Sequence, residues 1–429
     1  MKKMDYQNVR GTQDYLPNAE LIRRNVRRSL EDVFIQYGYK SLETPILNYT
    51  ELMASKYGGG AEILEEMYTL TDRGERDLAL RYDLTIPFAK VMAMNPGLRL
   101  PFKRYEIGKV FRDGPIKTGR LREFTQCDAD IAGVKSQVAE AELMVMALDA
   151  FNQLNIEVTI EYNNRNLLVG MLEVFNTPAE QVNSVILTLD KLEKVGVEGV
   201  MKELEKEALP VNTLKSINGF LTDQNNRNYN YFNFLAEQND LVRQGLNELK
   251  ELDEYLNYLN VDGECRFNPF LARGLDIYTG TIYEVFLCDQ SFKSSIASGG
   301  RYDNAIGGLA RTDGQLPTVG ISFGLDVIYT YLAHKADSTL ERSNIDYYVV
   351  PLNMKKEALL IANMLRKEGY KVECELNDRK VGKALDKANK EGITNVIIIG
   401  ENEVKDNAFN IKNMFTGEEE KVEFLFNNK

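Results

Sequence analysis

The chain has 429 residues, 44% of them hydrophobic and 27% charged, which excludes wholesale disorder and predicts two or three domains. Its formal net charge of −12 argues against a broad basic nucleic-acid surface, and its single histidine, His334, excludes Ser-His-Asp, Cys-His and H-E-x-x-H chemistry. Apolar runs such as Val396–Ile399 are too short to span a membrane. The N-terminal MKKMDYQNVRG has no apolar signal core, and the four dispersed cysteines form no C-x-x-C pair, so a cytoplasmic protein with reduced thiols is expected.

Ile22, Val26, Leu30, Val33, Phe34 and Tyr37 share one face of a predicted helix over 18–37, with Asn18 as its cap and Gly38 as its end. Leu42–Leu47 reads as an extended segment whose Pro45 cannot donate to a ladder, which suits an edge or an interface. A hairpin follows, Met67–Thr71 and Leu78–Leu84, then a helix over Ile86–Met94. Long strands at Phe102–Phe111 and Glu123–Ala132 flank a polar loop. The helix Val138–Leu154 and the strand Val158–Tyr162 close the block, which reads as a mainly antiparallel sheet with helices. Residues 176–256 look like a helical insertion, with 14 acids against 8 bases between Glu180 and Tyr255. Strands resume at Phe267–Phe270, Gly280–Leu287 and Val319–Phe323, before a helix over Leu325–His334. Past the polar stretch Lys335–Ser343, strands at Asp346–Pro351, Lys371–Glu375 and Asn395–Ile399 alternate with helices at Lys355–Glu368 and Val381–Gly392, the pattern of a small parallel α/β domain.

Chemistry concentrates in a few segments. The loop FRDGPIKTGRLREF (Phe111–Phe124) crowds Arg112, Lys117, Arg120 and Arg122 onto a hairpin tip. Guanidinium forks there suit a polyphosphate, and a solvated tip is the plain alternative. The next strand places Gln126, Asp128 and Asp130 on one face by its period of two, lining a pocket or facing solvent. LRYDLT (Leu80–Thr85) carries Asp83 and Thr85 on the same side of a strand end. ARGLDIYTG (Ala272–Gly280) holds Arg273, Asp276 and Tyr278. SGGRYD (Ser298–Asp303) reads as a Gly-Gly turn ahead of Arg301 and Tyr302.

In order, these pieces resemble the histidyl-tRNA synthetase family of class II aminoacyl-tRNA synthetases along nearly the whole chain. The matching segments are RGTQDYLP (Arg10–Pro17), the helix and strand with Pro45, LRYDLTIPFA (Leu80–Ala89), the two long strands with their loop, ARGLDIYTG, SGGRYDN (Ser298–Asn304) and VIIIGENE (Val396–Glu403). The resemblance implies an α+β fold: a class II catalytic domain over 1–335 containing the 176–256 insertion, and an anticodon-binding-type domain over 344–429. It implies a homodimer with Pro45 near the twofold axis. It implies that histidine and ATP, with Mg²⁺, give histidyl-adenylate, from which the acyl group passes to the 3′ end of tRNA(His). Positioning and electrostatics, without a protein nucleophile, would supply the catalysis.

Carried over residue by residue, Arg112 and Arg273 would flank the α-phosphate as the catalytic pair. Arg120 would reach the terminal phosphates and Phe124 would stack on adenine. Asp83, Thr85, Gln126, Asp130, Arg273, Tyr278 and Tyr302 would surround histidine. Lys117 and the basic run Arg379, Lys380, Lys383 and Lys387 would face tRNA; Arg379–Lys390 holds five bases and one acid. No protein motif for a metal is present. Three positions depart from the family pattern: Gly114 in place of a glutamate, Ile277 in place of a tyrosine, and Val327 in place of the arginine expected on the γ-phosphate. The departures predict slower adenylation. They leave two other readings open: a non-catalytic paralogue such as the histidine-sensing regulatory subunit of ATP phosphoribosyltransferase, and a ligase with another acceptor.

Overall fold

The first apolar stripe forms α1 (Pro17–Gln36), which buries Val26, Leu30, Val33 and Phe34, one face at i, i+4, i+7 and i+8. The helix starts ahead of Asn18: Leu16 is the N-cap and Pro17 the first helical residue, where a fixed φ and a missing N–H fit the first turn. Gly38 leaves the helix at φ 79°, a conformation that costs glycine little. The expected strand over 42–47 is broken into β1 (Lys40–Ser41) and β2 (Leu47–Tyr49). Between them Thr44 turns aside, its N–H (2.9 Å) and hydroxyl (2.8 Å) both donated to Glu106.

After the short α2 (Thr50–Ser55), β3 (Thr69–Thr71) and β4 (Asp77–Leu80) join β2 in a three-stranded antiparallel sheet. β4 stops at Leu80, short of the expected Leu84. The cause is Asp83, whose Oδ1 accepts the Ile86 N–H (2.9 Å) and turns the chain into α3 (Thr85–Met94). The long strands β5 (Phe102–Phe111) and β6 (Glu123–Ala132) pair in register throughout, from Phe102↔Ala132 to Phe111↔Glu123. α4 (Val138–Gln153) and β7 (Val158–Asn164) follow.

Six helices come next: α5 (Arg165–Val174), α6 (Val182–Leu189), α7 (Leu192–Lys206), α8 (Val211–Thr222), α9 (Tyr229–Ala236) and α10 (Asp240–Tyr258). The asparagines of this stretch start its helices. The side chains of Asn164, Asn228 and Asn239 each accept backbone N–H groups in a first turn. α10 buries Val242, Leu246, Leu249, Leu252 and Leu256 at helical spacing.

β8 (Cys265–Phe267) ends before the expected Phe270, because Pro269 has no N–H to offer. β9 (Thr281–Leu287), β10 (Ala297–Arg301), α11 (Asn304–Ala310), β11 (Thr318–Gly324) and α12 (Leu325–Ala336) complete the block. SGGR is therefore a strand rather than a turn. The main sheet has eight strands in the order β1-β5-β6-β11-β10-β9-β7-β8. Its outermost pairs, β1 with β5 and β7 with β8, are parallel and the rest are antiparallel. One face is apolar. Cys127, Ala129 and Ile131 of β6 lie in one core with α1 and α4, and Phe323 packs against Phe34 (5.7 Å between ring centroids) and Phe151 (5.6 Å). Each large apolar side chain buried here, such as Ile131 or Phe323, stabilises the fold by about 1.5–3 kcal/mol.

The computed structural model describes residues 6–55, 64–117, 119–272, 277–310, 315–336 and 344–426. The chain divides into two units, Met1–Leu332 and Ala333–Lys429. In the second, β12 (Tyr347–Pro351), α13 (Lys355–Lys367), β13 (Val372–Cys374), α14 (Val381–Lys390), β14 (Asn395–Ile399), α15 (Glu401–Lys405), β15 (Ala408–Asn413) and β16 (Glu419–Glu423) follow in order. The sheet runs β13-β12-β14-β15-β16, parallel over its first three strands. The antiparallel pair β15–β16 extends the parallel pattern read from sequence. α13 packs on one face, with Ile361, Ile397 and Phe409, and α14 on the other, with Ala384, Tyr348 and Val396. Cover on both faces explains the continuous apolar runs of β12 and β14.

Candidate active site

Opposite the apolar face, the middle of the eight-stranded sheet carries polar side chains over a floor of small residues. Cross-strand register puts Gln126 beside Gly108 and Gly324, Asp128 beside Glu106 and Ser322, and Asp130 beside Arg104 and Gly320. Residues opposite one another in an antiparallel ladder share a face, and on β10 Ser298 and Gly300 continue the same rows. The glycines are needed for space. A Cβ at Gly320 would collide with the Asp130 carboxylate, one at Gly108 with the Arg81 guanidinium, and one at Gly300 would stand 2.8 Å from the Tyr278 ring.

Buried charge fills this face. Arg81 donates to Glu106 (2.8 Å), to the Thr44 carbonyl (2.8 Å) and to the Lys109 carbonyl (2.7 Å), so it braces the small sheet against β5. Arg104, fully buried, lies 2.7 Å from Asp130 and donates to the Leu84 carbonyl at 3.1 Å, its guanidinium 4.5 Å above the Phe88 ring. Tyr302 donates its hydroxyl to Asp130. Burial raises the Asp130 carboxyl above its usual range against the pull of Arg104 and Tyr302, and pushes Asp128 up to about 7, opposed by Arg104 and reinforced by Asp130. Gln126 donates to the Ser322 hydroxyl at 2.7 Å.

β10 is locked from behind. Arg301 grips Glu140 of α4 through two nitrogens (2.6 and 2.7 Å) and donates to the Val134 carbonyl (2.9 Å), and Gln137 accepts from Thr281 (2.7 Å). Arg301 therefore fixes the strand that presents Tyr302.

At the other end of β5 and β6 stands a cationic and aromatic cluster. The Arg112 guanidinium lies 4.2 Å over the Tyr82 ring and 5.1 Å from the Phe124 ring, and its Nε donates to the Tyr82 carbonyl (3.2 Å). Tyr82 donates its hydroxyl to Glu66 (2.9 Å). The Glu66 carboxylate occupies the space a side chain at Gly114 would need, 2.6 Å from where its Cβ would be. Arg122 turns back to Asp113 (2.7 Å) and the Gly114 carbonyl (3.2 Å), whereas Lys117 and Arg120 stay exposed at the tip. Gly119, at φ 71°, lies over Val327: a Cβ there would sit 3.5 Å from the valine. The preceding residue, Asp326, faces away and ties α12 to the N-terminal block through Arg23, the Tyr15 hydroxyl (2.6 Å) and the Thr125 N–H (2.7 Å).

A family model described as histidyl-tRNA synthetase matches residues 11–328, and one described as an anticodon binding domain matches residues 346–425. The chain belongs to the histidyl-tRNA synthetase family. It is 56% identical over 426 residues to a protein named Histidine--tRNA ligase 2 from Shouchella clausii, covering 99% of this chain and all of that one. It is 54% identical to Histidine--tRNA ligase 1 from Bacillus cereus, covering 98% of each. Among solved structures, histidyl-tRNA synthetase from Nostoc sp. PCC 7120 superposes with a TM-score of 0.84 at 28% identity, covering 98% of this chain and 97% of that one. A Bacillus halodurans structure titled as an ATP phosphoribosyltransferase regulatory subunit/histidyl-tRNA synthetase reaches 0.76 at 18% identity over 93% and 99% of the two chains, a likeness of fold alone.

Within this family frame, the structure gathers Gln126, Asp130 and Tyr302 on one face, with Tyr278 against Gly300, and places Arg112 and Phe124 together at its other end. Asp83 is buried, but at the entrance of α3 rather than on a strand end, and Thr85 is that helix's first residue. Ile277 is buried as an apolar side chain. Arg273 and Asp276 lie outside the described residues. Sequence reading missed Arg81, Arg104, Glu106, Glu66 and the Arg301–Glu140 clamp. Only Arg81, inside LRYD, and Arg301, inside SGGRYD, carried any local signal. The basic run of the second unit is partly neutralised: Arg379 pairs with Glu375 (2.8 Å) and Lys387 with Glu373, and the Lys387 ammonium also sits over the Tyr348 ring. Lys380 and Lys383 remain exposed.

Proposed function

We propose that the chain is a histidine–tRNA ligase. It activates histidine with ATP to histidyl-adenylate and passes the acyl group to the 3′ end of tRNA(His). The support is the 56% identity to a histidine–tRNA ligase over essentially the whole chain, on a sheet face whose two ends differ in chemistry. One end holds buried carboxylates suited to an amino acid's ammonium and imidazole N–H. The other holds Arg112 against two aromatic rings, suited to a phosphate and a purine.

In this reading Asp83 receives the substrate ammonium with Thr85 beside it, and Gln126, Asp130, Tyr278 and Tyr302 surround the side chain. An analogue without the ring N–H would leave Asp130 with an unfilled acceptor, which costs more than a lost methylene. Arg112 holds the α-phosphate, with Arg273 as its counterpart by family resemblance. Arg120 reaches the terminal phosphates, Lys117 faces the tRNA, and Phe124 stacks on adenine. The carboxylate that attacks belongs to histidine, so two cations flanking the phosphate stabilise the charge that grows in the transition state. Mg²⁺ would come with the nucleotide and help neutralise its phosphates. Among the described residues no group of three or more His, Cys, Asp or Glu side chains has the geometry to hold a metal.

The anticodon-binding-type domain over 344–429 and the helices over 176–256 would serve tRNA. A homodimer built about Pro45 is supported by the apolar side chains exposed around it, Ile46, Leu47 and Tyr49. No helix among the described residues is long and apolar enough to cross a membrane.

Histidine-dependent ATP–pyrophosphate exchange by the purified chain, beside Val327→Arg, tests the reading. The native chain is expected to exchange. Histidine binding without exchange would instead fit a histidine-sensing paralogue, and exchange gained only in Val327→Arg would place the defect at that position.

A further inference from the structure

Four buried carboxylates, Asp83, Glu106, Asp128 and Asp130, share the polar face with two buried arginines, Arg81 and Arg104. Both arginines pair with other carboxylates, although Arg104 Nε and Nη1 are themselves buried without a hydrogen-bond partner. Arg81 pairs with Glu106 at 2.8 Å and Arg104 with Asp130 at 2.7 Å. Asp83 accepts the Ile86 N–H. Asp128, 3% exposed, has no ion-pair partner among the described residues, and its Oδ1 is buried without a hydrogen-bond partner. Gln126 Oε1, two residues before it on the same strand face, is in the same condition. A buried acceptor left unfilled costs about 1–3 kcal/mol, more when charged, and one on a candidate substrate face calls for a partner.

We propose that Asp128 is a second specificity-determining carboxylate of the substrate pocket, taking one N–H of the substrate's imidazole through Oδ1 while Asp130 takes the other edge of the ring. The inference rests on the histidine–tRNA ligase reading. Two residues of strand rise separate Asp128 from Asp130 by about 6.7 Å, a span suited to one small ring with a hydrogen bond of about 2.9 Å at each end. An imidazole carries a nitrogen on each of two edges, both donors when protonated. The charge on this face agrees: Asp128, which has no ion pair among the described residues, meets a ligand that brings a protonatable ring.

The groups facing Asp128 are Arg104 and Glu106 from β5, Asp130 from β6, the Ser322 hydroxyl from β11, and Asp83 ahead of α3. Burial outweighs Arg104 and pushes the Asp128 carboxyl up to about 7. The folded state therefore holds a proton that the unfolded chain releases, so this group's contribution to stability is present below about pH 4 and is lost as pH rises through about 7. Asp128→Asn removes that loss.

The test combines exchange kinetics with thermal melting for the native chain, Asp128→Asn and Asp128→Ala. Loss of one charged hydrogen bond predicts a rise in the histidine KM of roughly 10–100-fold, with the ATP KM unchanged. Asp128→Asn is expected to melt at or above the native temperature at pH 8, with no such gain at pH 5, and to lose most of the stabilisation that histidine confers. The native preference for histidine over β-(2-thienyl)alanine, whose ring has no nitrogen, should shrink by a similar factor. A merely structural carboxylate would instead lower the melting temperature and leave both KM values alone. Should Asp128→Ala fail to fold, the near-isosteric Asn variant carries the result. A histidine KM within twofold of native in a normally melting Asp128→Asn overturns the proposal alone. A native chain that neither exchanges nor is stabilised by histidine overturns the ligase reading and this proposal together.

Discussion

Arg112 is held before any ligand arrives. Its guanidinium is layered between Tyr82 and Phe124 and hooked to the Tyr82 carbonyl, and Tyr82 is itself fixed by Glu66. A planar cation oriented in this way pays little reorganisation when phosphate charge develops, which is where electrostatic catalysis gains most. Lysine keeps the charge but neither the fork nor the stacking plane. Arg112→Lys is therefore expected to lower the exchange rate on the order of 100-fold while leaving the histidine KM within a few-fold of native, as initial rates at varied histidine and ATP would reveal. Residues of this kind were legible in the sequence because their neighbours are distinctive: Arg112 in FRDG, Tyr302 in GGRYD, Asp130 on an alternating strand. Arg104, Glu106 and Asp128 were not legible as a cluster. What joins them is the register of β5 against β6 and of β6 against β11, and a register is invisible until strands are paired.

At the scale of elements, the sequence located the long helices and strands, missed short ones such as α2, α11, α15, β15 and β16, and misjudged where polar side chains interrupt the rest. Asp83, one residue ahead of the α3 N-cap, accepts the Ile86 N–H and turns the chain out of the β4 direction, and Thr44 leaves the sheet for Glu106. Both are local hydrogen bonds that outcompete strand continuation. SGGR failed in the opposite sense. Two glycines suggest a turn, but here they are strand residues, and a Cβ at Gly300 would stand 2.7 Å from the Thr281 carbonyl and 2.8 Å from Tyr278. The strand that results is aimed by Arg301, whose bidentate pair with Glu140 is buried on both sides. Breaking a buried pair leaves one charge unmatched and typically costs 3–5 kcal/mol. Glu140→Gln should thus destabilise the chain by about 3 kcal/mol, read as a lower urea midpoint. It should also raise the histidine KM, because Tyr302 follows Arg301 directly on the loosened strand. An unchanged midpoint would mean that the clamp contributes nothing to holding β10.

Across the whole molecule, charge is distributed unevenly. From Leu340 to Lys429 there are 15 bases against 16 acids, so nearly all of the net −12 lies in the remainder of the chain. A polyanionic partner therefore meets least repulsion at the C-terminal unit. Within that unit the run Arg379–Lys390, α14 with the two residues ahead of it, holds five bases and one acid, yet its cations are not equivalent. Lys387 is committed to Glu373 and sits over Tyr348, and Arg379 is committed to Glu375, so reversing either charge disturbs the packing of α14 as well as any surface contact. Lys380 and Lys383 are exposed and have no ion pair among the described residues, which makes them the clean probes. Each phosphate contact releases counterions and adds roughly 0.7–0.9 to the slope of log affinity against log salt. Lys380→Glu with Lys383→Glu is expected to weaken tRNA(His) binding about tenfold at low salt and to flatten that slope by between 1 and 2, with pyrophosphate exchange unchanged because no tRNA takes part in it. Lys387→Glu should lower the melting temperature of the C-terminal unit whether or not tRNA is present. Affinity and slope both unchanged in the double variant would remove α14 from the tRNA surface and leave the exposed cations of the hairpin, Lys117 and Arg120, as the next positions to reverse.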